Sequence, residues 1–539
     1  MSAILKDPVP FTFMIGKTSD GSEVRVIDAN GRRRFNGVAG YYDQGAVPTM
    51  HPGDDALALQ WAIDNLPATS FFSFPYNSPF INRHIGICTD LFTDRLISIE
   101  SGLMKISGGR LIASGPNALP IIDVGYRHDV TGNWATATPY VAGNLRQNDG
   151  ACYVCIQNHT SGDLDDEPGT GAVWGTYWAA IRTGIVRFER VNFSSPYGVD
   201  VGNNYLMRWK NGVSHSMDNC QMTNEGSTVP YGLLAEATLG QCWLYRFTGC
   251  DFWSGSVKLA LVGDSWFDNC TFCGVNRNVY DAYSLGLYSC ADVRVMNSHI
   301  MITPGAYGGI FFESTAGYGE TFKIIANQFD GGEVGATHGL IGFAHNIHLI
   351  DNGFSLCGKS GAYLYGVGHR IHGNDFVNCN VLDGSWNDIY LENSTDSILS
   401  ENRHIQGVSR TNKGYAVQEA GGSSARNRLV NMRCADATNY LAGLYSFPYG
   451  IVDIEGMLAG YNTKASGIAV IPSGSNGVVV NHGLHGVPVV VLGAGHAEAE
   501  CIVEEDSGHL NATYFLPRTL SGANTTANRN VFWMARCLH

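Results

Sequence analysis

Three glutamates each close an apolar run of the same shape: Leu233-Leu234-Ala235-Glu236, Ile310-Phe311-Phe312-Glu313 and Ile389-Tyr390-Leu391-Glu392. A carboxylate at a strand end is not there for packing, because it loses too much on leaving water. Glu313 is followed by a Gly-containing stretch, Ser314 to Gly319, with Tyr318 and then Glu320. Upstream, Tyr280-Asp281-Ala282-Tyr283 sets an aspartate between two tyrosines, and Tyr288 follows. Tyrosine rings stack on sugar faces, while carboxylates hold hydroxyls or move a proton. Hydrolysis of a glycosidic bond takes two carboxylates, one a general acid and the other a base or nucleophile. Glu313 and Asp281 are the first catalytic candidates, and Glu236 is the third. Glu392, Tyr280, Tyr283, Tyr288 and Tyr318 are candidate binding residues, as are Trp253, Trp266 and Trp386, which lie near turns. The plain alternative is that each Glu is a solvated strand end and each Trp is loop packing.

These residues sit inside a repeat. Between about 187 and 433 one phrase recurs: alternating apolar residues, a polar turn with Asn or Gly, then an apolar anchor. Met217-Asp218-Asn219-Cys220-Gln221-Met222 and Phe267-Asp268-Asn269-Cys270-Thr271-Phe272 show it. The turn recurs at 192, 219, 249, 269, 297, 327, 352, 374 and 402, in steps from 20 (249 to 269) to 30 (219 to 249). That period with strand-like alternation marks a β-solenoid, a long wall suited to extended polymers. Neighbouring rungs of a solenoid are ~4.8 Å apart. Carboxylates in one column or in adjacent columns are therefore the natural pairs. Cys220, Cys250 and Cys270 share one register and are expected to stack as a buried apolar ladder.

Composition narrows the partners. Of 539 residues only 15% are charged, 66 are Gly, and the formal net charge is −14. Glycine fits many tight turns. The negative charge, with no basic stripe, disfavours nucleic acid. No apolar stretch of about 20 residues predicts a membrane span, and residues 1–10 lack the pattern of a secretory signal. Fourteen Cys in a chain this long do not make a disulfide scaffold. No metal or cofactor is expected. The acidic turn Asp163, Asp165, Asp166 and Glu167 lacks calcium-loop spacing. His482, His485, His496 and His509 read as strand-end histidines.

Residues 1–50 read as a β-rich cap or attachment region. Residues 51–130 read as a capping helix, near Asp54 to Asp64, followed by the first rungs. Residues 131–181 break the register and are rich in aromatics, which predicts a small inserted β-module. There Trp174 and Trp178 are either a sugar-stacking platform or the filling of a small core. Residues 182–460 are the parallel β-helix, and 461–539 a C-terminal, sandwich-like domain for trimerisation or receptor contact.

The order of parts resembles bacteriophage tailspikes, polysaccharide depolymerases of the pectate-lyase-like family. Tyr42-Asp43-Gln44-Gly45-Ala46-Val47, Asp54-Asp55 and Ala58-Leu59-Gln60-Trp61-Ala62-Ile63 resemble its opening signature. Trp134, Tyr140-Val141-Ala142-Gly143, Tyr153, His159-Thr160-Ser161, Pro168-Gly169 and Trp174-Gly175-Thr176-Tyr177-Trp178 are similar to a chitin-binding-type module. Asn481-His482-Gly483-Leu484 and Phe532-Trp533-Met534-Ala535 are similar to tail-fibre C-termini. The resemblance implies a homotrimer of right-handed, single-stranded parallel β-helices in a virion tail, docked to other tail proteins and binding a bacterial surface polysaccharide. It fixes no catalytic position. Three readings stay open: an endo-glycosidase, a polysaccharide lyase using residues such as Lys258, Arg208, Arg246 or Arg277, and a non-catalytic adhesin.

Overall fold

The chain is an all-β parallel β-helix. The structure, a computed structural model, describes Gly16–Lys17, Glu23–Val24, Leu59, Gln60 and Ile63. Beyond these it describes most of 83–125, 133–180, 185–453 without several interstrand loops, and the strands between 464 and 536. Loops 196–204, 225–230, 274–282, 315–320, 332–336, 380–385, 406–413 and 435–444 lie outside the described residues. Two compact units divide the chain, Met1–Thr337 and His338–His539.

One rung of the first unit stands for the others. Ser216–Asp218, Gln221–Asn224 and Tyr231–Glu236 pair in parallel with Arg246–Thr248, Asp251–Trp253 and Ser256–Ala260. Two sheets have short strands. The third, with Tyr205–Lys210, Tyr231–Glu236, Tyr283–Tyr288 and Gly308–Glu313, has long ones. Alternate residues point inward, since side chains change face at every strand residue. Phe188, Met217, Phe247, Phe267, Val295 and Ile324 form one fully buried column. Rings repeat near the rung spacing: Phe247 lies 4.4 Å from Phe267, and Phe252 lies 5.2 Å from Phe272.

Apart from Asn192, which stands two residues after the positive-φ Arg190 and pairs with Gln221, the repeated positions occupy two neighbouring columns that the spacing does not separate. Asn219, Gly249, Asn269 and Asn297 have φ of 50, 60, 54 and 51°. Only Gly and Asn adopt that conformation readily. A Cβ on Gly249 would also lie 2.5 Å from Asn219 Oδ1. Asn327, Asn352, Asn374 and Asn402 stand one residue after the positive-φ position, and all four are buried. Asn352, Asn374 and Asn402, in the second unit, form a ladder. The Asn352 N–H donates to Asn374 Oδ1 at 2.9 Å, and the Asn374 N–H to Asn402 Oδ1 at 3.0 Å. In the first unit Cys220, Cys250 and Cys270 fill that interior position, free and buried. Burial pushes the Cys220 thiol well up, so this ladder packs and does not react.

Residues 133–180 leave the helix and form antiparallel strands. The helix then resumes in register: Met104–Ser107 pairs directly with Val186–Glu189, and Met207–Trp209 with Ile122–Val124. The excursion has its own core of Tyr140, Tyr153, Cys155 and Trp178, with Trp134, Trp174 and Tyr177 against it. Of the expected capping helix, Leu59, Gln60 and Ile63 are helical, and the rest lies outside the described residues. The Gln60 amide donates to the Ser98 carbonyl at 2.9 Å and accepts from the Ser98 N–H at 2.6 Å, so it occupies the backbone edge of the strand Ile97–Ile99.

From residue 464 onward the pairing is antiparallel. Arg529–Arg536 lies between Lys464–Ile471 and Val489–Ala494. One face of that sheet covers Ala469 and Val480, while Ile468, Val491, Phe532 and Met534 are exposed on the other.

Candidate functional site

The long strands carry the candidate residues in register. In the first unit, Lys210, Glu236, Ala260, Tyr288 and Glu313 form one column along the sheet. Leu234, Lys258, Gly286 and Phe311 form the next column on the same face. Gly286 has a specific task. A Cβ there would lie 2.7 Å from the Tyr288 ring, so glycine lets that ring settle over the sheet. Lys258 Nζ then stands 4.3 Å above the Tyr288 ring, a cation–π contact. Tyr283 stacks on Phe311 at 4.6 Å, Phe311 meets Tyr288 at 5.2 Å, and Tyr307, 62% exposed, meets Tyr283 at 6.3 Å. A row of rings thus runs beside Glu313. The Glu313 side chain is exposed and has no hydrogen-bond partner among the described residues. Glu236 is half-buried, 4.0 Å from the Lys210 ammonium. Glu236 stands three rungs from Glu313, about 14 Å along the sheet, which is beyond the separation of a hydrolytic pair.

The second unit builds a different wall. Phe343, Tyr365 and Glu392 share one column, and Ile341, Tyr363 and Tyr390 share the next. The Tyr363 hydroxyl donates to Glu392 Oε2. Tyr363 lies 5.2 Å from Tyr390 and 5.8 Å from Phe343. Trp386 meets the buried His338 edge-on at 4.9 Å and lies under Lys359 Nζ at 4.7 Å. Burial, then the Glu392 carboxylate, push the Tyr363 hydroxyl up, and both act on Tyr390 in the same order. Tyr363 therefore keeps its proton and holds Glu392 as a fixed acceptor. Burial lowers His338 to about 3, with Lys359 adding to the effect, so the imidazole is neutral.

Other expected residues fall in several places. Tyr280, Asp281 and Tyr318 lie outside the described residues, as do Arg277, Asp163 and the histidines 482, 485, 496 and 509. Trp253 is exposed, and Trp266 is half-buried with the Arg246 guanidinium 4.2 Å over its ring. Arg208 is engaged by the buried Asp123, with Nε donating to Oδ1 at 2.8 Å. Trp178 corrects the platform reading. It is 1% exposed in the module's core and offers no face to a sugar, whereas Trp174 is half-buried. A 48-residue excursion (133 to 180) needs large side chains for its own filling, and Trp178 is one of them. Sequence reasoning passed over Phe343, Tyr363, Tyr390 and Phe311 as site residues. Their signal was the alternation itself: in Ala362-Tyr363-Leu364-Tyr365 the buried residues are Ala362 and Leu364, which turns both tyrosines outward.

No family model and no curated relative matches this sequence. Solved structures that are similar include the tailspike gp49 of Pseudomonas phage LKA1, at 12% identity over 89% of this chain and 92% of that one, with a TM-score of 0.42. Another is the tailspike gp61 of Pseudomonas phage phi297, at 12% identity over 89% and 92%, with a TM-score of 0.43. A third is the Gp54 tailspike of Acinetobacter baumannii bacteriophage AP22 in complex with a capsular saccharide, at 8% identity over 85% and 91%, with a TM-score of 0.36.

Proposed function

We propose that this chain is a phage tailspike that binds a bacterial surface polysaccharide on its long-strand face and cleaves it, by endo-acting hydrolysis. The observation that carries the reading is the aromatic row Tyr307, Tyr283, Phe311 and Tyr288 ending at the exposed Glu313. Rings in a row suit successive sugar faces, and a water-accessible carboxylate beside them suits proton transfer to a glycosidic oxygen. Glu313 is assigned the proton-donor role and Asp281 that of its partner; Glu236, three rungs from Glu313, stands too far away to pair with it. Tyr280, Tyr283, Tyr288 and Tyr318, with Trp386 and Glu392, are assigned to binding the cleaved polymer; Trp253, Trp266 and Trp174 lie off the long-strand sheet and are assigned to glycan contacts elsewhere on the chain. The protein acts as a homotrimer in the virion tail. The exposed apolar residues Ile468, Val491, Phe532 and Met534 support that assembly, which sedimentation would check against the 58.2 kDa chain mass.

β-Elimination is the second reading, and one contact favours it. Lys258 pairs with Tyr288, the neighbour of Glu313 in its own column, and a tyrosine next to an ammonium is a candidate acid–base group for a lyase. One experiment separates the readings. The full chain is incubated with a panel of capsular and O-antigen polysaccharides while chain length, new reducing ends and ultraviolet absorbance are followed together. New reducing ends without absorbance support hydrolysis. Absorbance from an unsaturated uronate moves the chemistry to Tyr288 and Lys258. Binding without shortening leaves an adhesin.

A further inference from the structure

The first short-strand sheet of the first unit carries a charge pattern that the long-strand face does not need. Its strands set Arg187, Ser216, Arg246, Trp266, Arg294 and Lys323 in one outward column. At the start of this column the cations are neutralised. Lys105 meets Glu189 at 2.5 Å, and Arg187 pairs with Asp218. Lys105 and Arg190, with Arg187 adding to them, hold Glu189 down at about 2. Further along, the neighbouring column changes to Thr248, Asp268, Met296 and Ile325. There Asp268 Oδ1 accepts from Asn297 Nδ2 at 2.9 Å. Among the described residues Arg246, Arg294 and Lys323 form no ion pair, in a chain whose formal charge is −14. Arg246 lies over Trp266, one rung from Arg294, and Lys323 follows on the next rung. Successive rungs space these groups ~4.8 Å apart.

Two exposed carboxylates border the patch. Asp264 and Asp292 hold equivalent turn positions on adjacent rungs, linked by the Asp264 N–H donating to the Ala291 carbonyl at 3.1 Å. Burial and then Asp264 raise Asp292, and Arg294 and Lys323 pull it back. The patch therefore offers unpaired cations, an aromatic ring and two acceptors side by side. A neutral sugar uses only the ring and the acceptors. A simple anion uses only the cations. A uronate residue uses all three, with its carboxylate on Arg294 and Lys323, its hydroxyls donating to Asp264 or Asp292, and its ring beside the edge of Trp266, whose face Arg246 covers.

We infer that Arg246, Trp266, Arg294 and Lys323, bordered by Asp264 and Asp292, form a second glycan-binding track for acidic, uronate-bearing polysaccharide. This track lies on a sheet other than the one assigned to cleavage. It holds the polymer without cutting it and stands whether or not Glu313 is catalytic.

The test uses the full chain with polygalacturonate and with the same polymer fully methyl-esterified, which keeps the sugars and removes the charge. Binding of the acid form is expected, weakening as salt rises from 50 to 500 mM, a range in which exposed charges are increasingly screened. The esterified form should bind at least about tenfold more weakly. Arg294→Gln with Lys323→Gln should weaken binding of the acid form about tenfold and leave the melting curve unchanged, because both side chains lie on the surface. Arg187→Gln, whose charge is already paired, should leave the affinity unchanged. Equal binding of the two polymers overturns the proposal. So does salt-independent binding, a double variant that binds like the parent, or the absence of binding to the acid form at low salt.

Discussion

Glu313 and Glu392 close strands of the same type, yet their surroundings give them different chemistry. Glu392 is half-buried and accepts from the Tyr363 hydroxyl, its diagonal neighbour on the preceding rung. The residue diagonal to Glu313 is Gly286, because Tyr288 pairs with Glu313 and Gly286 with Phe311. Diagonal neighbours on one face of a sheet lie within reach of long side chains. A tyrosine in that place ties the carboxylate down as an acceptor. A glycine leaves it without a donor and makes room for the Tyr288 ring. The residue at the strand end sets which group is offered, and its diagonal neighbour sets what that group does.

Breaking the free carboxylate should have the largest effect. Glu313→Gln keeps shape and removes the proton donor, so cleavage should slow by about 10²- to 10⁴-fold while glycan affinity stays within a factor of about two. Chain-shortening rates and direct binding on the same polysaccharide read the two separately. A variant that cuts at the parental rate removes Glu313 from the chemistry. Breaking the tied carboxylate should do less. Tyr363→Phe removes one hydrogen bond to a half-buried Glu392, which is worth about 1–1.5 kcal/mol, so affinity should fall about tenfold with the cleavage rate of bound polymer unchanged. A loss of rate instead of affinity would assign Tyr363 and Glu392 to catalysis and collapse the distinction between the two faces.

Much of this was legible in the sequence, for a physical reason. A solenoid repeats one environment, so register follows from periodicity. The equivalence of Glu236 and Glu313, and the stacking of Cys220, Cys250 and Cys270, could be read from alternation alone, whereas Tyr288 enters the same column only in the structure. The asparagine columns could not be separated, because Asn serves equally at a positive-φ turn and as a buried ladder residue. What alternation never reports is the diagonal contact. Whether Glu392 is held by Tyr363, or Trp266 covered by Arg246, depends on rotamers that no spacing encodes. Trp178 was ambiguous for another reason: a platform and a small core use the same residue types.

The interiors supply the smallest test. Both units bury Phe and Cys beside polar groups, and the second buries Asp388 against His404 at 2.9 Å and Glu419, which accepts from Asn427 at 2.6 Å. One corner of the second unit shows three ways to meet a single need. The Ile347 N–H donates to His369 Nδ1 at 3.4 Å, the His369 N–H to Ser397 Oγ at 3.1 Å, and the Ser397 N–H to Asn427 Oδ1 at 2.9 Å. Of the three acceptors only His369 titrates in the acid range, and burial lowers it to about 3. An unfolded histidine titrates near 6.5, so below that pH the unfolded chain takes up a proton that the folded chain refuses. The stability contributed by neutral His369 is therefore complete above about 6.5 and lost as pH falls toward 3. His215, also lowered to about 3 by burial, adds a loss of the same sign in the first unit. His369→Asn keeps an acceptor for the Ile347 N–H, as Asn427 does for Ser397, and removes the titration. Between pH 6 and 5 the variant should lose about 1 kcal/mol less than the parent. Denaturant midpoints at the two pH values measure this directly. Parallel losses in parent and variant would mean that His369 is protonated in the folded chain, and that the corner is open to water.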